Sequence, residues 1–183
     1  MYNLSTIELW NVAAFEFLRA ATDTPHLLAK LGALLTELPV YLAVALILVD
    51  LCRRRDGATA TVLIVACVAA RLMEALANLY IYHARPFAVG FGPALISHAA
   101  NNSMPSSHVT FVWTIAMVTA FGGRWPLAGT LILLGAVLAW ARIYVGIHWP
   151  LDMVGAALVA VVCAALGSTA QHWGANFVRG RQS

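Results

Sequence analysis

Predominantly apolar runs recur along the chain in five places, about Leu31 to Leu51, Ala58 to Tyr82, Pro105 to Phe121, Pro126 to Ile143 and Pro150 to Ala170. A hydrocarbon core of about 30 Å needs roughly 20 helical residues to cross, so each run is a candidate span. The loops between them are short and punctuated by Gly, Pro, Asn and Ser, and no internal repeat, low-complexity tract or cleavable signal peptide is read. The pattern predicts an all-α integral membrane bundle of five transmembrane helices. The N-terminal segment STIELWNVAAFEFLRAAT breaks that pattern, because Glu8, Glu16 and Arg19 interrupt an apolar face too short to span comfortably. It predicts an amphipathic helix lying at the interface, with a sixth transmembrane helix as the alternative. One domain over 1–183 follows: an interfacial helix in 1–25, a bundle in 26–172 and a cytoplasmic tail in 173–183.

Composition strengthens this reading. Of the 183 residues 61% are hydrophobic and 10% charged, which excludes an ordinary soluble domain. The net charge of +3 is small and its arginines sit in short loops, so membrane topology accounts for it and a nucleic-acid partner is not expected. Cys52, Cys67 and Cys163 lack ligand spacing and read as small buried side chains, with neither a disulfide nor a metal expected. No cofactor is implied.

Arginines also orient the spans. CRRRDG after the first span, GGRW between the third and fourth, and VRGRQS at the end fall on one side if the spans alternate, and the positive-inside rule makes that side cytoplasmic. HARPF, NNSMPSSH and RIYVGIHWPLD then converge on the opposite face.

That face carries the candidate chemistry. Arg85 follows the second span and Arg142 ends the fourth, while PSSH opens the third and HWPLD the fifth. Helix N-termini present free N–H groups and a positive dipole end, and Pro105 and Pro150 both suit a first helical position. Guanidinium groups add bidentate donors that match phosphate oxygens. A phosphate ester or anhydride fits such a site. Of two histidines, one can attack phosphorus while the other protonates the leaving oxygen, and Asp152, four residues beyond His148, can fix an imidazole tautomer.

ARPF, MPSSH and ARIYVGIHWPLD resemble the three signatures of the type 2 phosphatidic acid phosphatase superfamily, K-x6-R-P, P-S-G-H and S-R-x5-H-x3-D, over about Asn78 to Asp152. The resemblance implies that His148 is the nucleophile and forms a phosphohistidine, that Asp152 is its partner, and that His108 protonates the leaving group. It further implies that Arg85, Arg142, Ser106 and the backbone at Ser107 bind phosphate, and that no metal is needed. Three positions depart from the pattern: Asn78 stands where the signature has lysine, Ser107 where it has glycine and Ala141 where it has serine. Asn78 then binds substrate as a neutral hydrogen-bond donor. The N-x6-RPF form, RIYVGIHWPLD and TELPVY are most similar to the bacterial undecaprenyl-diphosphate phosphatases associated with bacitracin resistance.

Other polar residues have plainer readings. Arg71, Glu74, Asn78 and Arg85 fall on one helical stripe that should face protein, and Arg71 with Glu74, joined by Glu37, reads as a packing ion pair well below Arg85. His26, His83, His98 and His172 lack motif context and read as structural. Trp10, Trp113, Trp125, Trp140, Trp149 and Trp173 read as interface anchors and core. The expected protein is a multi-pass phosphatase of the bacterial cytoplasmic membrane, its site facing outward, cleaving a polyprenyl diphosphate to the monophosphate. A charged headgroup can reach the polar mouth while its tail stays in lipid. A glycerolipid-phosphate or lipid A phosphatase, a phosphotransferase, and a silent lipid-binding or transport protein remain alternatives, and a homodimer stays open.

Overall fold

A computed structural model describes residues 5–180, with side chains described up to Thr169. The helices are α1 (Thr6–Leu18), α2 (His26–Leu35), α3 (Leu38–Arg54), α4 (Gly57–Tyr80), α5 (Ser107–Phe121), α6 (Trp125–Tyr144) and α7 (Pro150–Gly180), with a single 3-10 turn at Pro86–Val89. Among the described residues, four helical stretches are long and apolar enough to cross a membrane: α2 with α3, α4, α6, and Pro150–Thr169 of α7.

The shortest of the five expected spans is the centre of the bundle. α5 has 15 residues and packs against α3, α4, α6 and α7, so protein surrounds it. Nine of its residues are buried, among them Thr110, Thr114 and Thr119. The hydroxyls of Thr114 and Thr119 each donate to a carbonyl one turn back, at 2.7 Å, which lets a polar side chain sit in an apolar core. Close approach to α6 depends on Gly135, where an added Cβ would lie 2.3 Å from the Trp113 indole nitrogen.

The first expected span is broken. It begins at His26 and is interrupted at Thr36 and Glu37, before Pro39 restarts it in the first turn of α3. Pro105, expected at a first helical position, instead precedes the N-cap Ser106, whereas Pro150 does open α7. α4 stops at Tyr80, so Arg85 lies in the following loop, and of the expected protein-facing stripe only Glu74 is buried on the helix while Arg71 and Asn78 are exposed. Cys52 is likewise exposed, and the three thiols are free. Trp149 is core, whereas Trp10 and Trp125 are 73% and 69% exposed.

Arginines gather at the end away from α5's N-terminus. Arg124, ahead of α6, donates to Asp50 and lies 3.8 Å from Asp56, while Arg54 donates to Asp50 at 2.9 Å. Asp56 also caps α4 by accepting from Thr59 N–H at 2.9 Å. At the other end, α1 packs on α6 and α7 and buries Asn11 and Phe15. Its 13 residues span only about 20 Å, short of a crossing. Residues 173–180, expected within a tail, continue α7 as helix, and 181–183 lie outside the described residues, as do the side chains of His172 and Trp173.

Candidate active site

Two helix ends and one long loop build the site. The turn between α6 and α7 delivers His148, two residues before Pro150 starts α7 and four before Asp152 on its first turn. That spacing brings His148 Nδ1 to 3.0 Å from Asp152 Oδ2. Both side chains are buried, His148 at 2% and Asp152 at 0% exposure. A carboxylate so enclosed needs donors. It has four: His148 Nδ1, the Trp149 N–H at 2.8 Å and the Ser103 hydroxyl on Oδ2, and His83 Nδ1 at 2.9 Å on Oδ1.

The other face of His148 fixes its tautomer. Nε2 lies 3.1 Å from Arg85 Nη1, and a guanidinium can only donate, so Nε2 carries the lone pair and the ring proton sits on Nδ1, aimed at Asp152. Burial pushes the His148 imidazole down to about 3, outweighing the upward pull of Asp152. The ring is therefore neutral near pH 7. His83, half-buried on the same carboxylate, is shifted upward because its hydrogen bond to Asp152 outweighs burial, with Glu8 of α1 adding to the effect.

Arg85 is held as firmly as the histidine it faces. Its Nη1 also donates to the Ile147 carbonyl at 2.8 Å, Nε to Asn101 Oδ1 at 2.9 Å and Nη2 to the Asn102 carbonyl at 3.1 Å. Asn102 organises the loop. Its Oδ1 accepts from His83 N–H at 2.8 Å, and its amide donates to Ile81 O at 2.8 Å, Met104 O at 3.0 Å and Asn78 Oδ1 at 2.8 Å. Asn78 thus meets Asn102 rather than a catalytic side chain. Trp149 Nε1 donates to Ala84 O at 2.8 Å, and its ring packs on Phe15 and Phe91 with centroids 4.9 and 5.0 Å away. α1 adds Asn11 Oδ1, which accepts the Leu151 N–H at 2.9 Å, one of the otherwise free donors at the start of α7.

The second half of the site lies where the α2–α3 break meets α5. Glu37 Oε1 is 3.5 Å from His108 Nε2 and 3.9 Å from Arg142 Nη1, and Arg142 points to the Thr36 carbonyl at a long 3.5 Å. Arg142 is buried, and its Nε has no hydrogen-bond partner. Ser106, also buried, has an unpaired hydroxyl at the N-terminus of α5, and Ser107 opens that helix. Such donors, beside two guanidinium groups and a helix N-terminus, suit a phosphate dianion. Of the sequence candidates, His148, Asp152 and Arg85 are directly linked, and His108 and Arg142 meet through Glu37. His83, Ser103, Asn101, Asn102 and Asn11 are additions. Glu37 joins His108 and Arg142 rather than the Arg71–Glu74 pair, which does form by itself.

Comparison with known proteins places this arrangement. The model of the PAP2 superfamily matches residues 58–175. The chain is 32% identical over 162 residues to YbjG of Escherichia coli (strain K12), whose name gives it provisionally as an undecaprenyl-diphosphatase, covering 85% of this chain and 80% of that protein. It is 34% identical over 98 residues to undecaprenyl-diphosphatase BcrC of Bacillus subtilis (strain 168), covering 52% of this chain and 49% of that one. Aquifex aeolicus LpxE shares the fold at a TM-score of 0.74 and 20% identity, over 92% of this chain and 98% of its own. So does a transmembrane PAP2 type phosphatidylglycerolphosphate phosphatase from Bacillus subtilis, at 0.70 and 16%, over 93% of this chain and 88% of its own.

Proposed function

The chain belongs to the PAP2 superfamily of phosphatases and is a multi-pass membrane protein, and from that premise we propose that it hydrolyses a polyprenyl diphosphate to the monophosphate and inorganic phosphate. The observation that carries the chemistry is the orientation of His148, whose Nε2 lone pair faces Arg85 while Nδ1 is held on a buried carboxylate. In the first step Nε2 attacks the terminal phosphorus in line. The P–N bond forms as the P–O bond to the prenyl phosphate breaks, and His108 gives its proton to the departing oxygen. Arg85, Arg142, Ser106 and the α5 N-terminus at Ser107 stabilise charge on the transferred oxygens, and Asp152 stabilises positive charge on the imidazole. In the second step His108 takes a proton from water, the water oxygen attacks phosphorus, and the P–N bond breaks to release phosphate and neutral His148. Asn78 contributes as a neutral group through Asn102.

The substrate reading draws on the names of the two relatives and on the placement of the site at the end of apolar helices. Arg54 and Arg124 at the opposite end support a site facing outward from a bacterial cytoplasmic membrane. Two guanidinium groups provide the charge stabilisation, so the reaction is proposed to run without a metal. Phosphate release by the purified protein from C55 and C15 prenyl diphosphates, phosphatidic acid and phosphatidylglycerol phosphate tests the reading. The expected result is a higher kcat/KM for the diphosphates and turnover that survives EDTA, with a monophosphate control because diphosphates themselves bind divalent cations. A preference for glycerolipid phosphates would sink the substrate assignment.

A further inference from the structure

Arg71 is a cation in the middle of a span that the mechanism leaves unused. It lies nine residues before the end of α4 at Tyr80, about 13 Å down the helix, yet its side chain is 69% exposed. Only Nη1 is engaged, by the buried carboxylate of Glu74. A guanidinium exposed at such depth is costly against lipid and needs a partner or a task.

The bundle puts it at the mouth of the site. α4 packs against α5, and Arg71 lies beside the first turn of that helix. Arg71 therefore shares a cavity of about 270 Å³ with Ser107, His108, Val40 and Phe111. Phe111 is also in the wall of a second cavity of about 330 Å³, between α3 and α4, lined by apolar side chains including Val44, Leu51, Leu63 and Cys67. Leu48 and Ile64 line that second cavity too and are 54% and 66% exposed, so it opens sideways from the bundle. From the site outward the order is the leaving-group acid His108, the Arg71 guanidinium paired with Glu74 through Nη1 alone, Phe111, and a hydrocarbon-lined groove.

Building on the diphosphate reading above, we infer that this path is the leaving-group site: Arg71 binds the phosphate that stays on the lipid, and the α3–α4 groove holds the first isoprene units. The terminal phosphate sits against His148 and Arg85, and the phosphate retained by the product sits between His108 and Arg71. A polyprenyl chain suits the groove because the groove is apolar, opens toward the bilayer and joins the phosphate path at Phe111. Arg71 thus makes the enzyme a reader of diphosphates, since a monophosphate ester has no second phosphate to offer it.

The test uses the full-length purified protein and two inhibitors that occupy different parts of the path. Vanadate mimics the transferred phosphoryl group, and farnesyl monophosphate mimics the leaving product. Arg71→Gln is expected to lower kcat/KM for farnesyl diphosphate by about 10- to 100-fold, the effect of removing one charge-assisted contact, and to raise Ki for farnesyl monophosphate by about tenfold, with Ki for vanadate moving by less than about twofold. Arg71→Lys should recover most of both losses. Arg71→Gln combined with Glu74→Gln, which leaves no unpaired buried carboxylate, should show the same split. Cys67→Trp should raise KM for the C55 diphosphate by about tenfold more than for geranyl diphosphate, because it fills the groove a long chain uses. Parallel weakening of vanadate and farnesyl monophosphate would make Arg71 structural and overturn the inference, as would no loss in either. Wild-type protein without diphosphate activity would remove the underlying reading, and the inference with it, before any variant is made.

Discussion

The two histidines of the site live in opposite surroundings. His148 is 2% exposed, with Nδ1 held at 3.0 Å by Asp152 and Nε2 at 3.1 Å by Arg85, and each of those partners is tied to several more groups. The side chain of His108 is 37% exposed, beside a cavity, and its charged neighbour Glu37 stands 3.5 Å away on a helix break. One half is assembled in advance and the other is left open. The contrast matches the division of labour: a nucleophile must hold one tautomer and one direction before the phosphate arrives, whereas an acid that serves the leaving oxygen must face the path by which the lipid enters and leaves.

The largest effect should come from disturbing the closed half at its carboxylate. Asp152→Asn keeps the shape but offers an amide donor in place of an acceptor, which favours the tautomer with the proton on Nε2 and removes the attacking lone pair. A fall in kcat of about 10³- to 10⁴-fold is expected, with the thermal unfolding midpoint recorded to show that the bundle persists. The same carboxylate predicts opposite titrations for two histidines. Histidine nitrogen NMR at pH 5 should find His148 neutral, because its value lies near 3, and His83 protonated, because its value is raised. Joint titration of both near 6.5 would dissolve the distinction.

A second experiment sets the halves against each other. Arg85→Ala should cost at least about two orders of magnitude in kcat/KM whatever the leaving group, since the guanidinium acts on the transferred phosphoryl group. His108→Ala should cost about 10²-fold for an alkyl phosphate and much less for an aryl phosphate whose leaving group needs little protonation. Equal leaving-group dependence in the two variants would erase the proposed roles.

The smallest effect concerns the rim of the closed half. Asn78→Ala removes one neutral hydrogen bond, in which Asn78 Oδ1 accepts from the Asn102 amide, and should cost about 0.5–1.5 kcal/mol in transition-state binding, with Asn78→Lys losing as much because an ammonium cannot accept. Asn102→Ala should cost more, because Asn102 also fixes His83 N–H, Ile81 O and Met104 O. Equal costs would mean that Asn78 reaches the substrate itself.

The sequence made some of this visible and hid the rest for identifiable reasons. His148 and Asp152 stand four apart at the start of an apolar run, so their pairing follows from one helical turn, and the apolar runs located α4 and α6 closely and the start of α7, whose helix runs on to Gly180. His83, Ser103 and Asn102 sit in a loop without periodicity, and their meeting with Asp152 and Arg85 spans up to 69 residues in sequence, beyond the reach of any local pattern. Hydropathy also passed over the Thr36–Glu37 break, since the flanking residues are apolar on both sides. The Arg71–Glu74 pair is legible from its i, i+3 spacing, whereas the cavity that Arg71 shares with Ser107 and His108 joins two helices and leaves no local pattern.

The most direct test of the account is to trap the covalent intermediate. Wild-type protein mixed with diphosphate labelled at the terminal phosphorus and quenched within milliseconds should carry an acid-labile, base-stable label on the peptide containing His148, and His148→Ala protein, folded but inactive, should carry none. Label that survives acid, or turnover by the His148→Ala protein at the wild-type rate, would contradict the assignment of His148 as the nucleophile.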